Sequence, residues 1–515
     1  MKLINTKWLF LIIILSAGFA FNSCKKGFLD VNTDPNRVTD ANVTAELIFP
    51  QAANAVGVRE ANIDFLFLDH WMGYIAQNGQ FAPQQNELTY NIDFTFGNAL
   101  FVNHYNTLFD LHQAEVKGIA TGDTVLAGAS IILAAKLWQE LVDLYGDIPY
   151  SQVFQTDKYS SPVYDKAQDI YKDLQGRLDT AIGYMHTTEK NAFIAADIVN
   201  HGDQNKWILF ANTLKLRLLI RQSEVPGFDP SSDITKILNN GGVLGAGQTV
   251  SVNPGYSNDL NKQNPYYAIF GWDPTGVVST SADNANAYIV NILNSTNDPR
   301  IGRFFYPVGF SGGTYAGAVF GASQSTLPTA ANLSYFGPGL VGTINSSNSG
   351  DGSGAKQNQW IFPSYESMFL YAEAVARGWI TGDAQTAYMA AVTESFSWLG
   401  TPDAVNAAAT YMSNNPSANW ANAGTSSLSM ARFIAYQKYI ANTAIDPLES
   451  YSDLRRLNFL TDNSYISASP GKLSNTLPVK LLYPQSEYTS NAANVPKEVG
   501  GPGGDLFTKK IFWQP

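Results

Sequence analysis

Five histidines and one cysteine bound the chemistry this chain could perform. His70, His104, His112, His186 and His201 show no HExxH spacing, so the helical zinc pair of a metalloprotease is missing. His104 and His112 can share one helix face; a metal pair and two ordinary helix histidines both fit that spacing. No phosphate-cradling glycine loop, GxSxG elbow or dinucleotide fingerprint occurs. Asp169 and Asp173 stand one helical turn apart, where a glycosidase acid/base pair must be weighed against a solvated helix face, the plainer reading. Arg455-Arg456 could hold an anion, but Asp453 precedes Arg456 at the spacing of a helical ion pair. Asp30, Asn32, Asp34 and Asn36 alternate like the opening of a calcium loop. Pro35 replaces the glycine that such a loop needs and Ala41 its bidentate glutamate, which leaves turn chemistry. The Asn/Ser/Gly/Asp stretch 345–354 offers oxygens to a cation, or simply a flexible turn. No convincing catalytic set emerges, and no cofactor is implied.

Binding chemistry is better represented. Tyr266, Tyr267, Phe270, Trp272 and Asp273 crowd around Pro265, Gly271 and Pro274 in a glycine- and asparagine-rich region. Tyr and Trp rings offer flat apolar faces with a polar edge and lose little side-chain freedom on binding. A sugar ring can lie on such a face while Asp and Asn accept its hydroxyl hydrogens. Tyr335-Phe336 forms a second cluster. Trp71, Tyr74, Asn78 and Phe81 form a third, where a helical pattern runs into a loop at Gly79. Core packing of a loop is the competing reading for each cluster.

The lone cysteine has its own logic. Lys2 and Lys7 precede an uncharged run, Leu9 to Ala20, and small Ser23 precedes Cys24. These are the parts of an export signal. A single exported cysteine has no intramolecular disulfide partner, so Cys24 reads as a lipid attachment site with residues 1–23 removed. The run Trp8–Phe21 is shorter than the ~20 residues that cross a bilayer as a helix. The whole chain carries a net charge of −11, and the leader takes two lysines with it. An acidic body disfavours nucleic acid and polybasic membrane contact. Charged residues make up only 15% of the chain, well below the usual ~25%; a tyrosine- and amide-rich surface suits neutral polar ligands, and an exported protein of any function also shows such composition.

These residues must be positioned by helices. After an extended tether at 24–40, apolar residues recur at three- and four-residue steps through Glu46–Val58, Ile63–Gln77, Asn98–Gly118, Leu126–Tyr145, Asp165–Met185, Asp203–Gln222 and Asp233–Leu238. Gly146 stops the fourth of these, and Pro149 prevents its restart. Residues 241–361 are loop-rich, with helical pattern only at Asp283–Leu293. Helices return at Ser364–Arg377, Ala384–Trp398, 403–413, 427–442 and Leu448–Arg456, the last introduced by Asp446-Pro447. The tail 461–515 is irregular. The fold class is therefore mostly α: helical hairpins at about 41–240 and 362–460, carrying a large irregular insertion within one domain, 41–515.

Several stretches together resemble the SusD/RagB family of bacterial outer-membrane lipoproteins, in particular its SusD-like branch. They are SCKKGFLDVNTDPN at 23–36, LWQELVDLYGDIPYSQV at 137–153, FANTLKLRLLIR at 210–221, YESMFLYAEAVARGWITGDAQTAY at 365–388 and YQKYIANTAIDPLESYSDLRRLNF at 436–459. LLYPQSEY at 481–488 and GGDLFTKKIFW at 503–513 follow. Tyr439 and Tyr451 stand where tryptophan is common in the family, and Pro447 where glycine is. The resemblance implies a tetratricopeptide-like helical scaffold anchored by lipid at the cell surface. It also implies a SusC-like TonB-dependent transporter as partner and a glycan as ligand. Other branches of the family take oligopeptides, and a lipid-anchored glycosidase is a remoter alternative. Family members bind rather than catalyse.

Overall fold

Helix Thr124–Tyr145 is the axis of the scaffold. Asp123 starts it by accepting the Leu126 amide at 3.2 Å, which satisfies one of the orphan donors of a first turn. Gly146 ends it with φ 83° and ψ −121°, a conformation that a Cβ disfavours. Its neighbours are Asn98–Thr121 on one side and Ala167–Met185 on the other, with Ala45–Glu60 and Gln204–Arg221 packed against it as well. Every residue from Val125 to Tyr145 is buried. The sequence predicts one apolar face here; the structure surrounds the helix on all sides. By length and hydropathy it could cross a membrane, but protein covers it throughout. Space around Gly146 is open, so the penalty for Gly146→Ala is conformational alone. We expect a loss of about 1 kcal/mol, read as a lowered Tm; an unchanged Tm would show that the turn tolerates a side chain.

This computed structural model describes residues 43–61, 64–188, 190–496 and 506–515. The segment Ala45–Pro515 forms one compact unit. Cys24, the 24–40 tether and the Asp30–Asn36 alternation lie outside the described residues. The second half of the scaffold pairs Ser364–Ala376 with Ala384–Trp398, and then adds Ala404–Asn414, Ser427–Ala441 and Pro447–Leu457. Asp446 caps the last of these, accepting the Glu449 amide at 2.9 Å, with Pro447 in the first turn. The tail returns to the scaffold: the Leu481 amide donates to the Leu144 carbonyl at 2.8 Å, and Trp513 is fully buried.

Two predicted helices are partly strand. In place of a helix over Ile63–Gln77, the structure has a helix at Leu66–Trp71 and a strand at Ile75–Gln77. Gly73 separates them with φ 72°, and a Cβ there would fall 2.8 Å from the Tyr288 ring. The strand pairs antiparallel with Asp283–Ala285, the start of the second predicted helix. Helix Ala287–Ser295 begins only after Asn286, whose side chain accepts the Tyr288 amide at 2.9 Å. Within the loop-rich insertion, Val250–Val252 pairs with Gln359–Phe362, and Phe305–Tyr306 with Tyr335–Phe336. Helix Pro265–Phe270, capped by Asn264, was not expected from the sequence.

The helices meet across buried charges. Lys136 contacts Glu60 at 2.6 Å and also Glu140, which accepts from His104 at 3.1 Å. Arg221 joins Asp143 at 3.0 Å and Glu449 at 2.6 Å. Lys438 bridges Glu449 at 2.6 Å and Asp453 at 2.7 Å. Arg456 lies 2.7 Å from Asp453 and 2.8 Å from Glu373. All these side chains are buried. The Asp453–Arg456 pair is thus a tie inside the scaffold, and Arg456 has no exposure for an anionic ligand.

Candidate ligand-binding site

The loop-rich insertion has little regular backbone, so its rings must build a core of their own. The clusters at 266–273 and 335–336 meet there. Ring centroids of Phe270 and Phe336 lie 4.5 Å apart, and those of Trp272 and Tyr335 lie 5.7 Å apart. Tyrosine hydroxyls serve coil carbonyls: Tyr335 donates to Gly271 or Thr280 at 3.2 Å, Tyr306 to Gly342 at 2.9 Å and Tyr266 to Ala444 at 2.9 Å.

The expected ring platforms are therefore not at the surface. Tyr266, Tyr267, Phe270, Trp272, Tyr335 and Phe336 are all buried, with Trp272 only 1% exposed. A ring in that position offers no face to a sugar. The third cluster is divided. Trp71 is enclosed by Phe67, Tyr90 and Phe96, and Tyr74 stacks on Tyr439 at 4.8 Å. Asn78 is structural: its amide reaches the Ser281 carbonyl at 2.6 Å, the Ala282 carbonyl at 2.9 Å and Asn284 Oδ1 at 2.9 Å. Only Phe81, 36% exposed, and Asp273, half-buried, reach solvent.

What the surface presents over this core is a hydroxyl- and amide-rich rim. Asp273 Oδ1 accepts from the Thr275 hydroxyl at 2.7 Å and the Val277 amide at 3.0 Å. Those bonds, the Thr275 hydroxyl first, hold its carboxyl below the usual range. Asn345 Oδ1 accepts the Ser347 and Ser349 amides at 2.8 and 3.2 Å, and Asp351 Oδ1 accepts the Ser353 amide at 2.8 Å. The Asn345 and Asp351 Oδ1 atoms are thus engaged in turns. Among the described residues, no three His, Cys, Asp or Glu gather as a metal-holding group. His104 is buried against Glu140, and His112 stacks on Phe154.

The hairpin closed by the Ile344–Gly350 bridge lies on the rings. A Cβ on Gly350 would fall 2.4 Å from the Tyr267 hydroxyl and 2.7 Å from the Trp272 ring, so only glycine fits. Beside it Phe310 is half-buried, with its ring 5.6 Å from Tyr306, 6.1 Å from Tyr335 and 6.3 Å from Trp272. Its φ is +63°, a conformation uncommon for a bulky residue and worth of order 1–3 kcal/mol in strain. Sequence reasoning passed over Phe310. The signal was its glycine setting, for Gly309, Gly312 and Gly313 all have positive φ. A partly exposed ring on a firm aromatic floor can take the apolar face of a polyhydroxylated ligand.

A family model described as SusD-like, "Starch-binding associating with outer membrane", matches residues 35–484. Solved structures share the fold at low identity. A SusD homologue from Bacteroides fragilis is 20% identical with a TM-score of 0.71, covering 92% of this chain and 99% of that one. A chitin-binding SusD homologue from Flavobacterium johnsoniae is 22% identical with a TM-score of 0.72, covering 90% and 97%. A SusD/RagB family protein from Bacteroides thetaiotaomicron is 20% identical with a TM-score of 0.72, covering 92% and 99%. No curated protein matches the chain.

Proposed function

Since the chain belongs to the SusD-like family of starch-binding proteins that associate with the outer membrane, we propose that it captures glycans outside the cell and hands them to a SusC-like TonB-dependent transporter. Cys24 carries the lipid that holds it there, and the 24–40 tether spaces the body from the membrane. It binds without cleaving.

The observation that carries this reading is the loop face. Phe310 lies on a buried aromatic floor, and the other loops on that floor are mostly uncharged, with the Asp273 and Asp351 carboxylates engaged in turns. Neutral hydroxyls gain hydrogen bonds there without the desolvation of a charge. Phe81, at the edge of the insertion, adds a second accessible ring.

Gel retardation and calorimetry against a panel of neutral polysaccharides and oligopeptides test the reading. Phe310→Ala is expected to weaken glycan binding about tenfold, with only a small fall in Tm. Binding of oligopeptides alone, release of cleaved sugar, or full affinity in Phe310→Ala would each overturn the proposal as stated. Co-purification with a transporter from outer membranes tests the partner separately.

A further inference from the structure

The helical scaffold has a groove of its own, of about 470 Å3, between Asn98–Thr121, Thr124–Tyr145, Ala167–Met185 and the segment 150–155. No residue of the 241–361 insertion lines it. Its volume falls within the ~300–1,000 Å3 typical of small-molecule sites.

One wall is aromatic. Trp138 meets Tyr150 edge-on at 4.9 Å, and Phe154 lies 6.3 Å from Trp138 while stacking on His112 at 5.4 Å. Tyr150 and Phe154 are half-buried, so they contribute to the groove as well as to the scaffold. Phe154 has φ +64°, which a phenylalanine adopts only when its surroundings impose it.

The other wall is acidic. Glu115 and Arg177 neutralise one another at 2.6 Å. Burial pushes His112 below its usual range, against the pull of Glu115, so the ring is neutral at physiological pH. Asp165, Asp169 and Asp173 add three more carboxylates to the lining, against Arg177, the single cation among the described lining residues, so the wall stays acidic. Asp165 is committed to the Tyr150 and Ser151 amides, at 3.1 and 2.7 Å. Asp173 accepts the Tyr150 hydroxyl at 2.6 Å. Asp169, exposed and one turn before Asp173, has no hydrogen-bond or ion-pair partner among the described residues. Aromatic faces and carboxylates together attract a cation, through the ring quadrupole and through charge-assisted hydrogen bonds. An anionic ligand is repelled, and a neutral hydroxyl bonds the free carboxylate more weakly than an ammonium does.

We propose that this groove is a second ligand site, specific for a primary ammonium borne on a body with an apolar face. Asp169 receives the ammonium, and the half-buried Tyr150 and Phe154, backed by Trp138, receive the face. A deacetylated amino sugar and a lysine-bearing peptide share that chemistry.

Calorimetry on the full chain in detergent distinguishes them, with three probes: a glucosamine tetramer, the N-acetylated tetramer and a lysine-rich tripeptide. One or both amine probes should bind, and the one that does names the source. Asp169→Asn should weaken that binding about tenfold or more, and leave binding of neutral glycans at the loop face unchanged. Because Asp169 is exposed, the variant folds. Equal binding of the N-acetylated tetramer, indifference to Asp169→Asn, or silence from both amine probes would overturn the proposal. A neutral glycan that still binds in that last case leaves the loop-face reading standing.

Discussion

Arg456→Met is expected to destabilise the fold by about 3–5 kcal/mol. Arg456 is 1% exposed and joins two helices, through Asp453 on its own helix and Glu373 on Ser364–Ala376. Methionine keeps much of the volume but none of the charge. It leaves two buried carboxylates with less compensation than they were built around, and breaking one partner of a buried pair is far worse than never having had the pair. Urea unfolding followed by tryptophan fluorescence reads the loss. A change under ~1 kcal/mol, the value of an exposed pair, would mean that water or a neighbouring cation replaces Arg456. The exposed pair Lys262–Asp259, 3.9 Å apart, is the control, and Lys262→Ala should shift stability by no more than ~0.5 kcal/mol.

The same contact has a pH signature. Burial raises the Glu373 carboxyl, but Arg456 and then Arg377 outweigh it and pull it from 4.5 to about 2. A depressed carboxyl contributes stability that is fully present above pH 4.5 and is lost as pH falls toward 2. Without Arg456 that window narrows, so the variant's stability should fall less steeply across it than the wild type's. Glu60 and Glu366 are raised by burial. They act in the opposite sense, losing stability as pH rises above 4.5, and they do so in both proteins.

The network also marks where the sequence stopped being readable. Some helix boundaries were legible because stop and start signals are local: Gly146 ends one helix and Asp446-Pro447 starts another, as their residue types require. The burial of Lys136, Glu140, Asp143 and Arg456 was not legible. A charged residue on a helix reads as solvated unless its partners are known, and those partners lie on helices far away in sequence. The strand at Ile75–Gln77 was missed for a related reason. It has three residues, and its partner begins at Asp283, so no periodicity within a short window announces it.

The aromatic clusters failed differently. Position on a loop was read as exposure, yet a loop region of this size needs a core, and coil backbone supplies carbonyls that tyrosine hydroxyls can satisfy. Composition marked the loop-rich region as aromatic, but with no period of 2 or 3.6 nothing in the sequence says which rings face inward. Phe310 and Gly350 are informative because their backbone and packing, not their chemical type, set them apart.

Trp272→Ala is the second large effect, and the structure changes its expected sign from what an exposed platform would give. The ring is 1% exposed and neighbours Tyr267, Tyr306, Phe310 and Tyr335, with Gly350 lying directly against it. Truncating a buried tryptophan costs about 3–5 kcal/mol through lost burial and the cavity left behind. The 344–350 hairpin and the Phe310 turn lose their floor together, so glycan affinity should fall as a consequence of the stability loss. Phe310→Ala separates the two, weakening binding with a much smaller shift in the urea midpoint, because a half-buried ring loses less burial than Trp272 does. If Trp272→Ala instead abolished binding at unchanged stability, the hairpin would have to open in solution and present Trp272 itself to the ligand. Protection of the 344–350 amides from hydrogen exchange, lost on adding glycan in the open case and retained or increased in the closed case, decides between them.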